Sequence, residues 1–289
     1  MASRSVCGTK LKSSLTSDTR IYCACINWFH DTNQIYLVLE PAPGGELFEL
    51  LQKRCRFSEA RAAWYLSQMV TALQYVHCKN IIHRDIKPEN ILLGLRDTLK
   101  LSDFGWSVHL DGPLQKRTTY CGTDAYMAPE MLDEPRSYGK EVDTWALGIL
   151  LYEFLHGEAP FESYQNPQET FRKIKHKAPT FYLEDVRSDA RDLILAMLKK
   201  DPKERLSLEA AWDHKYLQAV MRDEQFFQTQ YGGVVARMPM PKKKMKMLDA
   251  NMNSEEYYNS TTGVNPFTGQ PNNACGVGAT TGSPVVPGP

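Results

Sequence analysis

The first 43 residues contain one glycine, Gly8, and the first 39 contain no glutamate. A Gly-x-Gly-x-x-Gly loop, which approaches phosphates closely because no side chains intervene, is therefore excluded ahead of Gly44. Lys10 and Lys12 stand there without the apolar flanks of a strand lysine. The seven cysteines, at 7, 23, 25, 55, 78, 121 and 275, form no Cys-x-x-Cys pair, and their number is odd. That spacing argues against a disulfide framework and a structural zinc site, and it fits a reducing compartment. No charge of either sign is in excess: Lys plus Arg and Asp plus Glu both total 34. A general nucleic-acid binder would be basic, so none is expected. No run reaches the roughly 18 apolar residues of a membrane span, and the first twenty residues carry no apolar core of signal-peptide length. After Lys246 there is neither Lys nor Arg, and Gly, Pro, Asn, Ser and Thr dominate. Such a composition buries too little apolar surface to offset chain entropy, so disorder is expected from about residue 232.

What is present reads as a globular protein, with 42% apolar and 24% charged residues among 289. Three zones follow: a polar segment 1–19, a dense middle 20–220 and an extension 221–289. Segments 20–29 and 34–40 read as strands joined by a turn at 30–33. Segment 58–77 reads as a helix capped by Ser58, with an apolar stripe of Leu66, Met69, Val70, Leu73 and Val76. Segment 142–155 is apolar nearly all round, as a central buried helix would be. Two further helices are expected at 188–199 and 207–213, each opened by a serine cap.

The densest chemical signal is His83-Arg84-Asp85-Ile86-Lys87-Pro88-Glu89-Asn90, with Asp103-Phe104-Gly105, Gly122-Thr123 and Ala128-Pro129-Glu130 following in order. This set resembles the catalytic loop, metal-binding turn and activation segment of protein kinases. Phosphoryl transfer needs positioning and charge neutralisation more than covalent chemistry from the protein. The resemblance implies Asp85 as the group that orients or accepts the substrate hydroxyl proton and Lys87 beside the transferring phosphate. It implies Asn90 and Asp103 as oxygen ligands for magnesium, and ATP as phosphate donor. Lys87 and Thr123 follow the Ser/Thr-kinase pattern, in which the threonine links to the catalytic Asp and Lys.

Asp103 to Val108 reads DFGWSV and 117–123 reads RTTYCGT, which resemble the Aurora kinases over about 20–220. Thr119 aligns with their activating phosphothreonine, with Thr118 as the weaker candidate. A phosphate there would add nearly two negative charges, with Arg84 as its cationic partner. Leu39, Glu40, Pro41 and Ala42 resemble the gatekeeper and the hinge that binds adenine through the Glu40 carbonyl and the Ala42 amide. Gly44 and Gly45 would let the chain approach the nucleotide. Glu46 would reach the ribose or a basic substrate residue, and Leu92 would floor the adenine. Glu89, beside the nucleotide, and Glu153 align with acids that favour basic residues before the acceptor. Asp143 and Trp145 match the helix that anchors the catalytic loop, Arg205 matches the partner of Glu130, and His83 matches a packing residue. Cys121 is expected in an exposed loop beside Arg117. The KKKMK run reads as a solvated tail or a nuclear address, and Asn265-Pro266-Phe267 as a weak peptide-ligand pattern.

The implied fold is α+β and protein-kinase-like: a partial N-lobe of two strands at 20–40, a hinge at 40–46 and a mainly helical C-lobe at 47–220. The family's glycine-rich loop, strand lysine and helix glutamate have no counterpart ahead of Glu40. The residues therefore admit three readings: a Ser/Thr kinase present as an incomplete copy of the domain or a truncated gene model, a non-catalytic kinase-like binding module, and a kinase relative that phosphorylates small molecules. The resemblance implies protein substrates with basic residues near the acceptor, spindle or chromosomal regulators as partners, and a place in nucleus and cytoplasm at the mitotic spindle, centrosome or chromosomes. Direct nucleic-acid and membrane partners are not expected.

Overall fold

The computed structural model describes residues 23, 25–112, 115–163 and 166–223. All of these fall in the first of two compact units, Met1–Lys242, and the second, Lys243–Pro289, lies outside them. The expectations for segment 1–19, the disordered tail, the basic run and the Asn265-Pro266-Phe267 triplet also lie outside the described residues.

The chain enters through a hairpin of β1 (Cys25–His30) and β2 (Ile35–Leu39). The strands are antiparallel, with Trp28 opposite Leu37 and Phe29 opposite Tyr36. Asp31 makes the turn, because its carboxylate accepts from the amides of Asn33 and Gln34, both at 2.7 Å. An aspartate that bonds its own backbone a few residues on is a standard turn maker. Both faces of the hairpin are apolar and exposed. Ile26, Ile35 and Leu37 lie 62%, 66% and 58% accessible.

The rest is mainly helical. In order come α1 (Leu47–Arg54), α2 (Glu59–Cys78), β3 (Ile81–Ile82), β4 (Ile91–Leu93), β5 (Leu99–Leu101), β6 (Val108–His109), α3 (Pro129–Leu132), α4 (Glu141–His156), α5 (Pro167–His176), α6 (Ser188–Met197), α7 (Leu208–Trp212) and α8 (Lys215–Met221). The short strands pair as β3 with β6 and β4 with β5, both antiparallel.

Helix α2 starts where the sequence places it. Ser58 Oγ accepts from the Arg61 amide, and the apolar stripe packs into the core. Helix α4 is buried over nearly its whole length, including Trp145, Leu147, Ile149 and Phe154. It packs against both α2 and α6, so an apolar residue is stabilised on every side, as its all-round composition requires. Ser207 caps α7 by accepting from the Ala210 amide at 3.2 Å. The expected cap of α6 is different. Ser188 is the first helical residue, Arg187 stands at the cap position without a side-chain cap bond, and Arg187 instead pairs with the buried Asp189. A serine within one residue of a helix start looks like a cap in sequence, yet the backbone turns one residue earlier here.

Candidate active site

The site is built downward from α4. Asp143, fully buried on that helix, accepts from the amides of His83 and Arg84, both at 2.9 Å, and stands 2.7 Å from His77 Nε2. Burial works against its charge, but the bonds from His77 and His83 outweigh it and hold the carboxyl below its ordinary range. Two consecutive amides tied to one carboxylate fix the loop entering Asp85, where Arg84 takes a positive φ of 72°. His83 is buried, faces Phe104 edge-on at 4.9 Å, and its Nε2 lies 3.0 Å from the Ser102 carbonyl. Burial lowers its pKa, so it is a neutral packing residue, as expected from the sequence.

Four predicted residues meet at one point. Lys87 Nζ donates to Thr123 Oγ1 at 2.8 Å, and Thr123 Oγ1 donates to Asp85 Oδ1 at 2.8 Å. Lys87 Nζ also lies 3.4 Å from Asp85 Oδ2. Asn90 Nδ2 donates to the Asp85 carbonyl at 2.9 Å and to Asp85 Oδ2 at 2.8 Å. Thr123 reaches this point because Gly122, at φ 101°, lies against the Arg84 carbonyl, 2.8 Å from where a Cβ would sit. Any other residue would push the activation segment off the catalytic loop.

The fit to a divalent cation can be read from the donor atoms. The Asn90 amide nitrogen is used on Asp85, which leaves its oxygen as the candidate ligand atom. Asp103 is exposed, at φ 51°, and one carboxylate oxygen accepts from the Gly105 amide at 3.0 Å. Among the described residues no group of three or more His, Cys, Asp or Glu side chains could hold a metal alone. Two oxygen donors and no closed cage suit magnesium, which keeps waters and takes phosphate oxygens.

The hinge residues are placed less simply. The Glu40 side chain pairs with the buried Lys100 at 2.9 Å, and the Glu40 carbonyl accepts from Cys23 Sγ at 3.3 Å. The carbonyl expected to meet adenine thus already holds one internal bond. Leu39 is exposed and Ala42 half-buried. Gly44 approaches β4 closely: its amide donates to the Leu93 carbonyl at 2.8 Å, and a Cβ would fall 2.5 Å from Leu93 Cβ. Glu46 is exposed and bridges the half-buried Leu92, so the two sit side by side.

Thr118 and Thr119 are exposed in the activation segment. Cys121 is a correction: it is 3% accessible, buried against Tyr138, whose hydroxyl lies 3.7 Å from Sγ. The segment turns inward at this residue to bring Thr123 to Asp85, so its thiol is shielded. Arg84 is already engaged, donating to the Trp106 carbonyl at 2.6 Å and to the Tyr138 hydroxyl at 3.0 Å. Arg205 clamps Glu130 with two bonds, at 2.7 and 2.9 Å, as expected.

Glu153 bonds the Tyr126 hydroxyl. Burial is the main reason its carboxyl is raised to about 7. The Tyr126 bond opposes the shift, and the neighbouring Glu89 and Glu162 add to it. Glu89 keeps one buried carboxylate oxygen with no hydrogen-bond partner. The acidic group is thus Glu89, Glu153 and Glu162, of which Glu162 escaped the sequence reading because it sits in no motif. Tyr126, Tyr138 and Lys100 escaped it too.

Comparison with known proteins agrees with this geometry. The family described as protein kinase domain matches residues 12–217. Aurora kinase A-A of Xenopus laevis is 50% identical over 190 residues, 66% of this chain and 46% of that protein. Aurora kinase of Schizosaccharomyces pombe is 49% identical over 192 residues, 65% of this chain and 52% of that protein. Aurora kinase of Yarrowia lipolytica is 49% identical over 192 residues, 65% and 50% of the two chains. The chain spans about half the length of these curated relatives. It belongs to the protein kinase family, within which its sequence is of the Aurora type.

Proposed function

We propose that this chain carries the transfer half of a Ser/Thr protein kinase, passing the ATP γ-phosphate to hydroxyls on protein substrates. The observation that carries the reading is the closed Lys87–Thr123–Asp85–Asn90 network. Asp85 accepts the hydroxyl proton of the substrate Ser or Thr as that oxygen bonds to phosphorus and the bond to the departing diphosphate breaks. Lys87, held by Thr123, directs its charge at the transferring oxygens. Asn90 and Asp103 would hold magnesium, which offsets phosphate charge when bound. Leu39, the backbone of Glu40 and Ala42, Glu46, Glu89 and Leu92 form the nucleotide side.

Thr119, or secondarily Thr118, is the proposed activating phosphorylation site. Glu89 and Glu153 form the proposed subsite for a basic residue before the acceptor, supported by the unpartnered Glu89 oxygen and the raised Glu153 carboxyl. A desolvated acid gains most from an incoming cation. From the relatives' names we further propose a mitotic role at the spindle, centrosome or chromosomes, in nucleus and cytoplasm, with regulators of that apparatus as partners. Among the described residues no helix is long and apolar enough to cross a membrane. We propose the same domain limits as the sequence indicates, with 47–220 as the C-lobe.

The second reading, a kinase-like binding module, is favoured by one observation. The sequence ahead of Glu40 offers neither a glycine-rich loop nor a glutamate. Loss of one preorganised donor costs about 10²–10³ in rate, so turnover far below that of an intact kinase is expected from this chain. The test is phosphate transfer from magnesium-ATP to a serine peptide with upstream arginines, with Asp85→Asn as control. Transfer abolished by the substitution supports the enzyme; no transfer from the folded chain means that the enzyme reading belongs to the family and not to this chain as given.

A further inference from the structure

Lys200 lies in the loop between α6 and α7 and is half-buried. Its Nζ stands 4.8 Å from the ring centre of Trp145 and 4.3 Å from that of Phe161. The two rings stack at 5.9 Å and are themselves 0% and 1% accessible. Nζ donates to the Ile174 carbonyl on α5 at 2.5 Å. The Arg205 guanidinium lies over the same Trp145 ring at 5.2 Å, and it is the charged group that bears on Lys200. Among the described residues no carboxylate pairs with Lys200. Other lysines are held differently. Lys53, Lys100, Lys116, Lys175 and Lys215 each pair with a carboxylate. Burial lowers Lys140 as well, but Cys78 and Glu141 oppose that shift.

We propose that Lys200 is a nucleophilic amine and a modification site that takes an acyl group from an acyl thioester. An ammonium is strongly hydrated, and here two apolar rings stand where water would be. Burial first, and the Arg205 charge second, lower the amine to about 8. The ring faces attract a cation and so limit the shift without reversing it. An amine near that value holds on the order of a hundredfold more neutral form at about pH 7.5 than a lysine at its ordinary value near 10.4. The neutral amine keeps an N–H for the Ile174 carbonyl and offers its lone pair. It attacks the thioester carbonyl, a C–N bond forms, the C–S bond breaks, and the surplus proton leaves with the sulfur as a thiol. The resulting amide nitrogen retains one N–H for Ile174. The step uses none of the transfer residues, so it stands apart from the kinase reading.

The test exposes the full folded chain to the acetyl thioester of N-acetylcysteamine. Mass spectrometry then follows the acetylation rate of each lysine at about pH 7.5 and about pH 9.5. At the lower pH Lys200 should acetylate at least about tenfold faster than the exposed Lys177, Lys199 and Lys203. At the higher pH the ratio should shrink, because Lys200 has already given up its proton there. In concentrated urea, which parts the loop from Trp145 and Phe161, the preference should vanish. The proposal is overturned if Lys200 reacts no faster than those three lysines in the folded chain. A ratio that is the same at both pH values would trace the preference to access and not to a free amine, and it also overturns the proposal. So does a preference that survives in urea, since its cause would then lie in the local sequence.

Discussion

Arg205 donates from both terminal nitrogens to the two oxygens of Glu130, and its side chain is almost fully buried. Removing one member leaves an uncompensated charge in a dry site, so Arg205→Ala should lower stability by about 3–5 kcal/mol in urea titration. Glu153 makes a prediction of a different kind. Its carboxyl ordinarily titrates near 4.5 and is raised to about 7 in the fold. Between those values the folded chain binds a proton that the unfolded chain has lost, so its contribution falls as pH rises and is fully unfavourable above about 7. Glu153→Gln should therefore flatten the decline in urea midpoint from about pH 5 to about pH 8. An arginine docking here would ionise the acid and release its proton. Affinity for an arginine peptide should then rise with pH through neutrality in the wild type and lose that dependence in Glu153→Gln. Asp85, Lys87, Asn90 and Asp103 could be read from sequence because short fixed spacings carry them. Tyr138 and the pairing of Tyr126 with Glu153 could not, since the partners are far apart in the chain and meet only once α4 is docked.

At the scale of elements, composition decides what can be read. Helix α4 was legible because an all-apolar helix has nowhere to be but inside, and α2 because its stripe and its cap agree. The serine rule separates two outcomes. Ser207 bonds the Ala210 amide, whereas Ser188 is no cap. Ser207→Ala should cost about 0.5–2 kcal/mol and Ser188→Ala less than about 0.5 kcal/mol, measured by thermal or urea unfolding. The hairpin was legible as two strands joined by a turn, but not in its surroundings. Strands apolar on both faces are usually central strands of larger sheets, and here Trp28 and Leu37 share one face while Phe29 and Tyr36 stack on the other at 4.8 Å.

For the described molecule as a whole, the residues of the proposed transfer site are hung on α4 and the segments around it. Asp143 sets the catalytic loop, Tyr138 the activation segment, and Arg205 ties Glu130 to the Glu141 carbonyl at the start of the helix. The hairpin is joined to this body by thinner ties, including the Cys23 amide on the Leu101 carbonyl at 2.9 Å and the Lys100–Glu40 pair. The exposed apolar faces should bind a hydrophobic dye, and Ile35→Lys with Leu37→Lys should reduce that fluorescence without changing the protection of α4.

That division has a consequence for cooperativity. An isolated two-stranded hairpin is marginal in water, whereas the helical body has a continuous core. Heating should therefore melt Trp28 and its neighbours before the body loses its shape, with two steps in place of one. In the interval between them Asp85, Lys87 and Thr123 would keep their mutual distances while the proposed nucleotide contacts at Leu39 and Glu40 had already loosened, so a probe of geometry and a probe of ATP affinity would report different melting temperatures for the same chain.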